Sequence, residues 1–190
     1  MVNNHFFYRR FINNILICGS HRVGKTTLAK MISKSLDYIY ISLDNIFESI
    51  EELPSWPYKK YEEASIISSE LSSFVINYIN HLDKDNNYVL EGSYIDIEKI
   101  YDKLDNTKII GLTYNNLSKI DLFNRIKKYD TNSWLTNFND ETILDKCDCF
   151  INRNKYYNEC FNKLNINSFD ISRDYLKSLD NIVNNIKEII

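Results

Sequence analysis

Eight consecutive residues have the types and spacing of a loop that binds phosphate. They run from Gly19 to Thr26, read GSHRVGKT and match the pattern G-x-x-x-x-G-K-[ST]. Two glycines let the backbone curve until successive N–H groups point into one concavity, and the N-terminus of a following helix adds partial positive charge. Such a concavity binds an anion of phosphate size. We call residues 19–26 the phosphate loop.

The end of the phosphate loop carries the side chains that a nucleoside triphosphate needs. Lys25 is expected to reach the β- and γ-phosphates of ATP, and the Thr26 hydroxyl to coordinate a Mg²⁺ ion on the same oxygens. His21 is expected to be exposed, and Arg22 either adds charge near the phosphates or is solvated. The nucleotide-binding residues are predicted to be Gly19, Ser20, His21, Arg22, Val23, Gly24, Lys25, Thr26 and Thr27.

The elements that must position this loop follow from the hydrophobic pattern. Short apolar runs alternate with longer amphipathic stretches, which is typical of βαβ units around a parallel sheet. Strands are predicted at 13–18, 38–43, 88–91, 108–112 and 168–171. Helices are predicted at 24–36, 46–50, 58–82, 117–129, 140–164 and 173–189. The first strand and the first helix therefore flank the phosphate loop.

Two short segments end the second and third predicted strands, ISLD at 41–44 and VLEG at 89–92. With the phosphate loop, they resemble the P-loop small-molecule and nucleoside kinases, a superfamily with adenylate-kinase-like and shikimate-kinase-like members. The resemblance implies an α/β, three-layer P-loop NTPase fold with a five-stranded parallel sheet flanked by helices and a helical lid segment. It further implies one domain over 1–190, an acceptor-binding segment at 45–82 and a lid region at 117–155.

The resemblance also gives roles to two acidic residues. In these kinases a carboxylate at the end of the second strand holds the acceptor hydroxyl or acts as its base, and Asp44 occupies that place. The residues alone allow another role for Asp44, as the cap of a short helix from Asn45 onward. Glu91 stands where many P-loop proteins have the acid that serves Mg²⁺, usually an Asp, so Thr26 and Glu91 are the predicted metal residues.

Phosphoryl transfer spreads negative charge over the phosphate oxygens, and the resembled kinases bring Arg or Lys from a closing lid to stabilise it. The candidates here are Arg125 and Arg153, with Lys128 third. Basic residues near a helix C-terminus also favour the helix dipole, which is the other reading of Arg125. Trp134 is either an anchor of the lid or a half-buried core residue.

The predicted activity is an ATP-dependent phosphotransferase that moves the γ-phosphoryl of Mg-ATP to a hydroxyl of a small molecule such as a nucleoside or a sugar. Its predicted catalytic residues are Lys25, Asp44, Arg125 and Arg153. No arginine lies between Arg22 and Arg125, which favours an unphosphorylated or cationic acceptor. The aromatic residues Trp56, Tyr58 and Tyr61 either stack on the acceptor or pack across the Pro54–Pro57 loop.

Other function classes remain open or are disfavoured. The alternative is a nucleotide-binding switch or NTP hydrolase that regulates a partner protein. The Asn-Lys pairs at 154–155 and 162–163 lack an Asp two residues later, which disfavours a GTPase. A net charge of -3 gives no general positive field, which disfavours a nucleic-acid partner.

The composition places the chain among ordinary globular proteins. Its 190 residues are 44% hydrophobic and include no apolar run of the roughly 20 residues that a membrane span requires. The stretch 1–12 does not read as a signal peptide, so a surface arm and a cytoplasmic location are expected. Four cysteines fit free thiols, with Cys18 a small buried hydrophobe. Monomer and homodimer both remain open.

Overall fold

The computed structural model describes residues 14–53, 55, 64–130 and 133–189. The strands in these ranges are β1 (Asn14–Gly19), β2 (Ile39–Ser42), β3 (Tyr88–Gly92), β4 (Thr107–Thr113) and β5 (Ser168–Asp170). The helices are α1 (Lys25–Leu36), α2 (Leu43–Glu51), α3 (Ala64–Asn80), α4 (Ile97–Ile100), α5 (Lys119–Tyr129), α6 (Asp140–Lys163) and α7 (Tyr175–Ile189). A 3₁₀ helix (Trp134–Asn137) joins α5 to α6.

All strand pairs in the sheet are parallel, and the strand order is β2-β3-β1-β4-β5. The central strand β1 is buried at all six residues, as expected for an apolar run between two covered sheet faces. Because the strands are parallel, their carboxyl ends meet at one edge, where Cys18 pairs with Gly92 and Ser42 pairs with Glu91. The predicted α/β fold with a five-stranded parallel sheet is confirmed.

The core lies on both faces of the sheet. Successive side chains of a strand point to opposite faces. Accordingly Ile15 and Ile17 belong to a cluster with α1, α5 and α7, whereas Leu16 and Cys18 belong to a second cluster with α2, α3 and α6. Cys18 is fully buried, and burial raises its pKa to about 12, so it is the small buried hydrophobe that the sequence predicts.

Several element boundaries differ from the prediction. The second strand ends at Ser42, whose side chain accepts a hydrogen bond from the Asn45 N–H and caps α2. The prediction that Asp44 caps this helix is therefore wrong, because α2 begins one residue before Asp44. The structure also has α4 and the 3₁₀ helix, which are too short to show a hydrophobic period.

Three predicted features lie outside the described residues. They are the arm at 1–12, the start of the long third helix at 58–63, and the Pro54–Pro57 loop with Trp56, Tyr58 and Tyr61. Within the described ranges, none of the helices combines the length and apolar character needed to cross a bilayer.

Gly111 in β4 lets α6 approach the sheet, and its replacement gives a test of this packing. A Cβ added at Gly111 would lie 2.6 Å from the ring of Phe161, which is fully buried and has no room to retreat. Gly111→Ala should therefore lower the free energy of unfolding by about 1–3 kcal/mol, measured by urea titration.

The matched control repeats the substitution in a Phe161→Leu background. Leu removes the ring edge that the new methyl would meet, so Gly111→Ala should cost less there than in the wild-type chain. Equal costs in the two backgrounds would contradict the assigned contact.

Candidate active site

The phosphate loop turns through left-handed backbone conformations that place it over the end of β1. Gly19, Arg22 and Gly24 have φ angles of 152°, 60° and 91°. At Gly19 a Cβ would lie 2.4 Å from the carbonyl oxygen of Leu112, so only glycine fits there. Left-handed residues within a turn direct neighbouring N–H groups to one side, which forms an anion-binding concavity. The backbone thus has the shape that the motif predicts.

Contacts from distant elements hold the phosphate loop in place. The Ser20 hydroxyl donates to the carbonyl oxygen of Phe150 in α6 at 2.7 Å. The buried Tyr114 hydroxyl, just after β4, donates to the carbonyl oxygen of His21 at 3.1 Å. Gly24 is the N-cap residue of α1 and offers no side-chain cap. The N-cap residue therefore provides no side chain that could accept hydrogen bonds from the first N–H groups of α1.

Lys25 lies beneath the phosphate loop rather than on its surface. Its side chain is buried, and its Nζ donates to the carbonyl oxygen of Ser20 at 2.8 Å. Burial lowers the pKa of Lys25, while the negative charges of Asp44 and Glu91 oppose this effect. The predicted ATP lysine and the two predicted carboxylates therefore share one electrostatic environment. Thr26, by contrast, is exposed.

Asp44 is held by the segment that follows β3. Its Oδ1 accepts a hydrogen bond from the Ser93 N–H at 2.7 Å, and its Oδ2 accepts one from the Ser93 hydroxyl at 3.0 Å. Each carboxylate oxygen keeps a second lone pair for another donor. Ser93 thus fixes the orientation of Asp44 and leaves each of its oxygens a lone pair for another donor.

Glu91 is buried in β3 beside Ser42, with its two carboxylate oxygens in different situations. Oε1 accepts a hydrogen bond from the Tyr40 hydroxyl at 3.0 Å, whereas Oε2 is buried and has no hydrogen-bond partner among the described residues. Burial together with Glu91 raises the pKa of Tyr40 to about 12. An unpaired carboxylate oxygen and an exposed Thr26 hydroxyl are hard oxygen ligands, so the residue types fit Mg²⁺.

Arg153 contacts Ser93, the residue that also holds Asp44. Its Nη2 donates to the carbonyl oxygen of Ser93 and to the Ser68 hydroxyl, both at 3.1 Å. Its guanidinium lies 5.4 Å from the Tyr157 ring centroid, and its Nε is buried without a partner in the described chain. Arg153 thus joins α6 to α3 and to the loop after β3, which is the acceptor side of the predicted site.

Arg125 lies at a different place. Its Nη2 donates to the carbonyl oxygen of Ser172 at 2.8 Å, and its guanidinium lies 5.3 Å from the Tyr175 ring centroid. Tyr175 in turn donates to the Thr27 hydroxyl at 3.2 Å. The structure therefore places Arg125 next to the start of α1 and the β5–α7 loop, and does not bring it to Ser93, where Asp44 and Arg153 meet. Lys128 lies over the Tyr129 ring.

The prediction that His21 is exposed is wrong. Its imidazole is stacked on Phe150 at 5.2 Å and meets the edge of Tyr94 at 5.9 Å. Its Nδ1 is buried without a partner in the described chain. Burial, followed by the charges of Lys25, Arg153 and Arg22, lowers the pKa of His21 to about 3. His21 is thus a neutral member of the site, which a loop position alone did not indicate.

Arg22 is neither solvated nor unpartnered. Its Nη1 forms an ion pair with Asp130 Oδ2 at 2.6 Å, and its guanidinium lies 5.5 Å from the Trp134 ring centroid. Trp134 is 45% exposed and belongs to neither core cluster, so it is not a core residue. Sequence reasoning missed Asp130 because an acidic residue after a helix carries no signal of its own. The phosphate loop is therefore attached to the predicted lid region.

Comparisons with known proteins agree with this geometry at the level of the fold. No protein-family model and no curated protein sequence matches the chain. A solved shikimate kinase from Bacteroides thetaiotaomicron is similar with a TM-score of 0.56 and 19% identity over 93% of this chain and 96% of that one. A shikimate kinase from Acinetobacter baumannii in complex with shikimate has a TM-score of 0.54 and 16% identity over 93% and 92% of the two chains.

A putative kinase from Chloroflexus aurantiacus is also similar, with a TM-score of 0.56 and 12% identity over 94% of this chain and 99% of that one. These similarities concern the fold, which in this chain is a five-stranded parallel sheet flanked by helices. The chain therefore has the P-loop kinase-like fold, and the predicted resemblance is confirmed for the fold.

The low pKa of His21 predicts a specific dependence of stability on pH. The folded chain holds this pKa at about 3, against 6.5 for a free imidazole. Below about pH 6.5 the unfolded chain therefore binds one proton more than the folded chain, so acid favours unfolding. This contribution is complete above pH 6.5 and should fall by up to about 1.4 kcal/mol per pH unit below it.

Urea unfolding at about pH 7.5 and about pH 5.5 measures this effect. His21→Gln should lose less stability between the two conditions than the wild-type chain, by about 1.4 kcal/mol. His81, which is exposed and whose Nδ1 lies 2.8 Å from the carbonyl oxygen of Asn77 in α3, provides the control variant His81→Gln. An unchanged pH dependence in His21→Gln would contradict the assigned environment.

Proposed function

We propose that this chain is a kinase that transfers the γ-phosphoryl group of Mg-ATP to a hydroxyl of a small molecule. The observation that carries the proposal is the position of Lys25, buried under the phosphate loop within the electrostatic reach of Asp44 and Glu91. These three residues follow or end β1, β2 and β3, which are neighbours in the sheet. A phosphate site therefore adjoins a candidate base and a candidate metal ligand.

The binding step uses groups that the phosphate loop already orients. Its N–H groups and the N-terminus of α1 would hold the β- and γ-phosphates, and Lys25 would exchange the carbonyl oxygen of Ser20 for phosphate oxygens. Thr26 and the unpaired Oε2 of Glu91 would hold Mg²⁺. When bound, Mg²⁺ neutralises charge on the β- and γ-phosphate oxygens. The planar groups of Arg125 and Tyr175 beside Thr27 suit the base of the nucleotide.

The transfer step would be a displacement at the γ-phosphorus. The acceptor oxygen forms a bond to this phosphorus while the bond to the bridging oxygen breaks, and ADP leaves with that electron pair. The proton of the acceptor hydroxyl passes to the carboxylate of Asp44, which Ser93 keeps in one orientation. We expect Arg153 to lie on the acceptor side, where its contacts with Ser93 and Ser68 place its guanidinium.

The acceptor side favours a polar, hydroxylated molecule. It combines the carboxylate of Asp44, the guanidinium of Arg153 and the aromatic rings of His21 and Tyr94. The pKa of Tyr94 is raised by burial and then by Asp44, so this ring lies near the candidate base. A nucleoside, a sugar or a cyclic alcohol offers both hydroxyls and a ring face to such groups. In this proposal segment 45–82 binds the acceptor and 117–155 forms the lid.

A test of the function compares two site variants with one control. The wild-type chain, incubated with Mg-ATP and a panel of nucleosides, sugars and cyclic alcohols, should yield a phosphorylated product that ³¹P NMR detects. Lys25→Ala should lower the transfer rate at least about 10²-fold because the phosphate charge loses its buried cation. Asp44→Asn should lower kcat about 10²- to 10⁴-fold because the acceptor proton loses its base.

The control is Lys34→Ala, which removes an exposed lysine from the other end of α1 and should leave the rate unchanged. Thermal unfolding checks that each variant is folded. Release of ADP and free phosphate with every acceptor would instead favour the switch or hydrolase. A transfer rate that survives in Lys25→Ala would contradict the proposed site.

A further inference from the structure

The two arginines of the predicted lid region donate hydrogen bonds to backbone carbonyl oxygens, and in the described part of the chain neither donates one to the phosphate loop. Between residues 117 and 155 the sequence has only Arg125 and Arg153. Their guanidinium groups donate to the carbonyl oxygens of Ser172 and Ser93, on opposite sides of the phosphate loop. Beside Lys25 and the proposed Mg²⁺, the negative charge on a transferred phosphoryl group would be stabilised further by a cation other than these two arginines.

Arg22 has a backbone conformation that points to a functional side chain. Its φ of 60° lies in the left-handed region, which glycine enters freely and other residues rarely adopt. The same loop uses glycine at its two other positive-φ positions, Gly19 and Gly24. Among the described residues, the other non-glycine positions with positive φ are all Asp or Asn, which tolerate this region, so a long side chain at Arg22 points to a function for its guanidinium.

The surroundings of the guanidinium indicate where it acts. Asp130 Oδ2, which pairs with Arg22 at 2.6 Å, also accepts a hydrogen bond from the Ser133 hydroxyl at 2.8 Å. Asp130 is thus held at the end of α5, and the Trp134 ring also lies against the guanidinium. Asp44 acts on Arg22 as well, and with Asp130 it opposes the lowering of the Arg22 pKa by burial. The guanidinium is therefore paired with Asp130 of the predicted lid and also feels the charge of the candidate base Asp44.

We propose that Arg22 is the arginine that stabilises the transferred phosphoryl group, and that it exchanges Asp130 for the γ-phosphate when a triphosphate binds. This inference rests on the proposed function. A phosphate group accepts two parallel N–H bonds from a guanidinium and carries more charge than one carboxylate, so it competes successfully for Arg22. The cation that other kinases supply from the lid comes here from the phosphate loop, and Asp130 makes the lid sensitive to the γ-phosphate.

The experiment measures the affinity for ADP and for the β,γ-imido analogue of ATP by calorimetry, with Mg²⁺ present. Arg22→Gly is the sharpest variant, because glycine suits the left-handed position and removes only the side chain. It should bind the triphosphate analogue at least about 10-fold more weakly, keep its ADP affinity within about 2-fold, and lower kcat about 10²- to 10³-fold. Arg22→Lys should recover only part, since an ammonium lacks the planar fork.

Asp130→Asn should change the affinity for the triphosphate analogue in the opposite direction from Arg22→Gly. It removes the competitor for the guanidinium and keeps the side-chain shape, so it should bind the triphosphate analogue about 3- to 10-fold more tightly and leave ADP binding unchanged. Asp148→Asn serves as the matched control, because Asp148 pairs with Lys119 on the exposed surface. An Asp130→Asn chain with unchanged or weaker triphosphate binding would overturn the exchange.

A fluorescence readout tests the movement directly. The sequence has two tryptophans, so Trp56→Phe leaves Trp134 as the single reporter. Because Arg22 lies over the Trp134 ring, the triphosphate analogue should change its emission and ADP should change it less. The additional substitution Arg22→Gly should abolish this difference.

The outcomes separate this inference from the proposed function. If the wild-type chain binds no nucleotide and phosphorylates no acceptor, the proposed function fails. If the wild-type chain is an active kinase and Arg22→Gly retains its kcat and its triphosphate affinity, only the role of Arg22 fails. Equal weakening of ADP and triphosphate binding in Arg22→Gly would assign the residue to loop structure and would also overturn the inference.

Discussion

A lysine ammonium removed from water beneath a backbone loop is the interaction on which the site depends. Burying a charge of this kind costs several kcal/mol unless nearby groups compensate. Here the carbonyl oxygen of Ser20 accepts from Lys25, and Asp44 and Glu91 supply negative charge. These groups meet only because β1, β3 and β2 are adjacent parallel strands that end at one edge. The order of strands in the sheet is therefore what makes a charged lysine tolerable at this place.

The need to compensate the buried charge of Lys25 explains which residues surround it. The sheet can place Asp44 beside Ser93 because α2 begins directly after β2, and Ser42, rather than Asp44, caps this helix. Asp44 lies in the first turn of α2, and its carboxylate is bonded to Ser93 instead of capping the helix. His21 is kept neutral by burial and by three neighbouring cations, so it adds no further positive charge to the site. The local electrostatics are thus set by residues from four separate segments.

The sequence predicted the features that depend on neighbours along the chain. The phosphate loop, the buried β1, the free thiol of Cys18 and the succession of strands and helices along the chain, apart from α4 and the 3₁₀ helix, all follow from local pattern. Long-range contacts could not be predicted in this way. His21 was expected to be exposed because nothing near it in sequence reveals Phe150, and the pairing of Arg22 with Asp130 depends on the end of α5 reaching the loop.

The two predicted lid arginines show why residue type alone is insufficient. Both Arg125 and Arg153 lie on helices in the expected region, yet α5 brings Arg125 to Tyr175 and α6 brings Arg153 to Ser93. The direction of a helical side chain depends on how the helix is rotated about its axis against the sheet. The hydrophobic pattern shows which face of the helix is buried but defines this rotation only coarsely. The loop residue Arg22 depends less on this rotation, because the left-handed turn that forms the phosphate nest also sets the direction of its side chain. The charge of Arg22 is therefore positioned by the same backbone turn that would hold a phosphate in the proposed function.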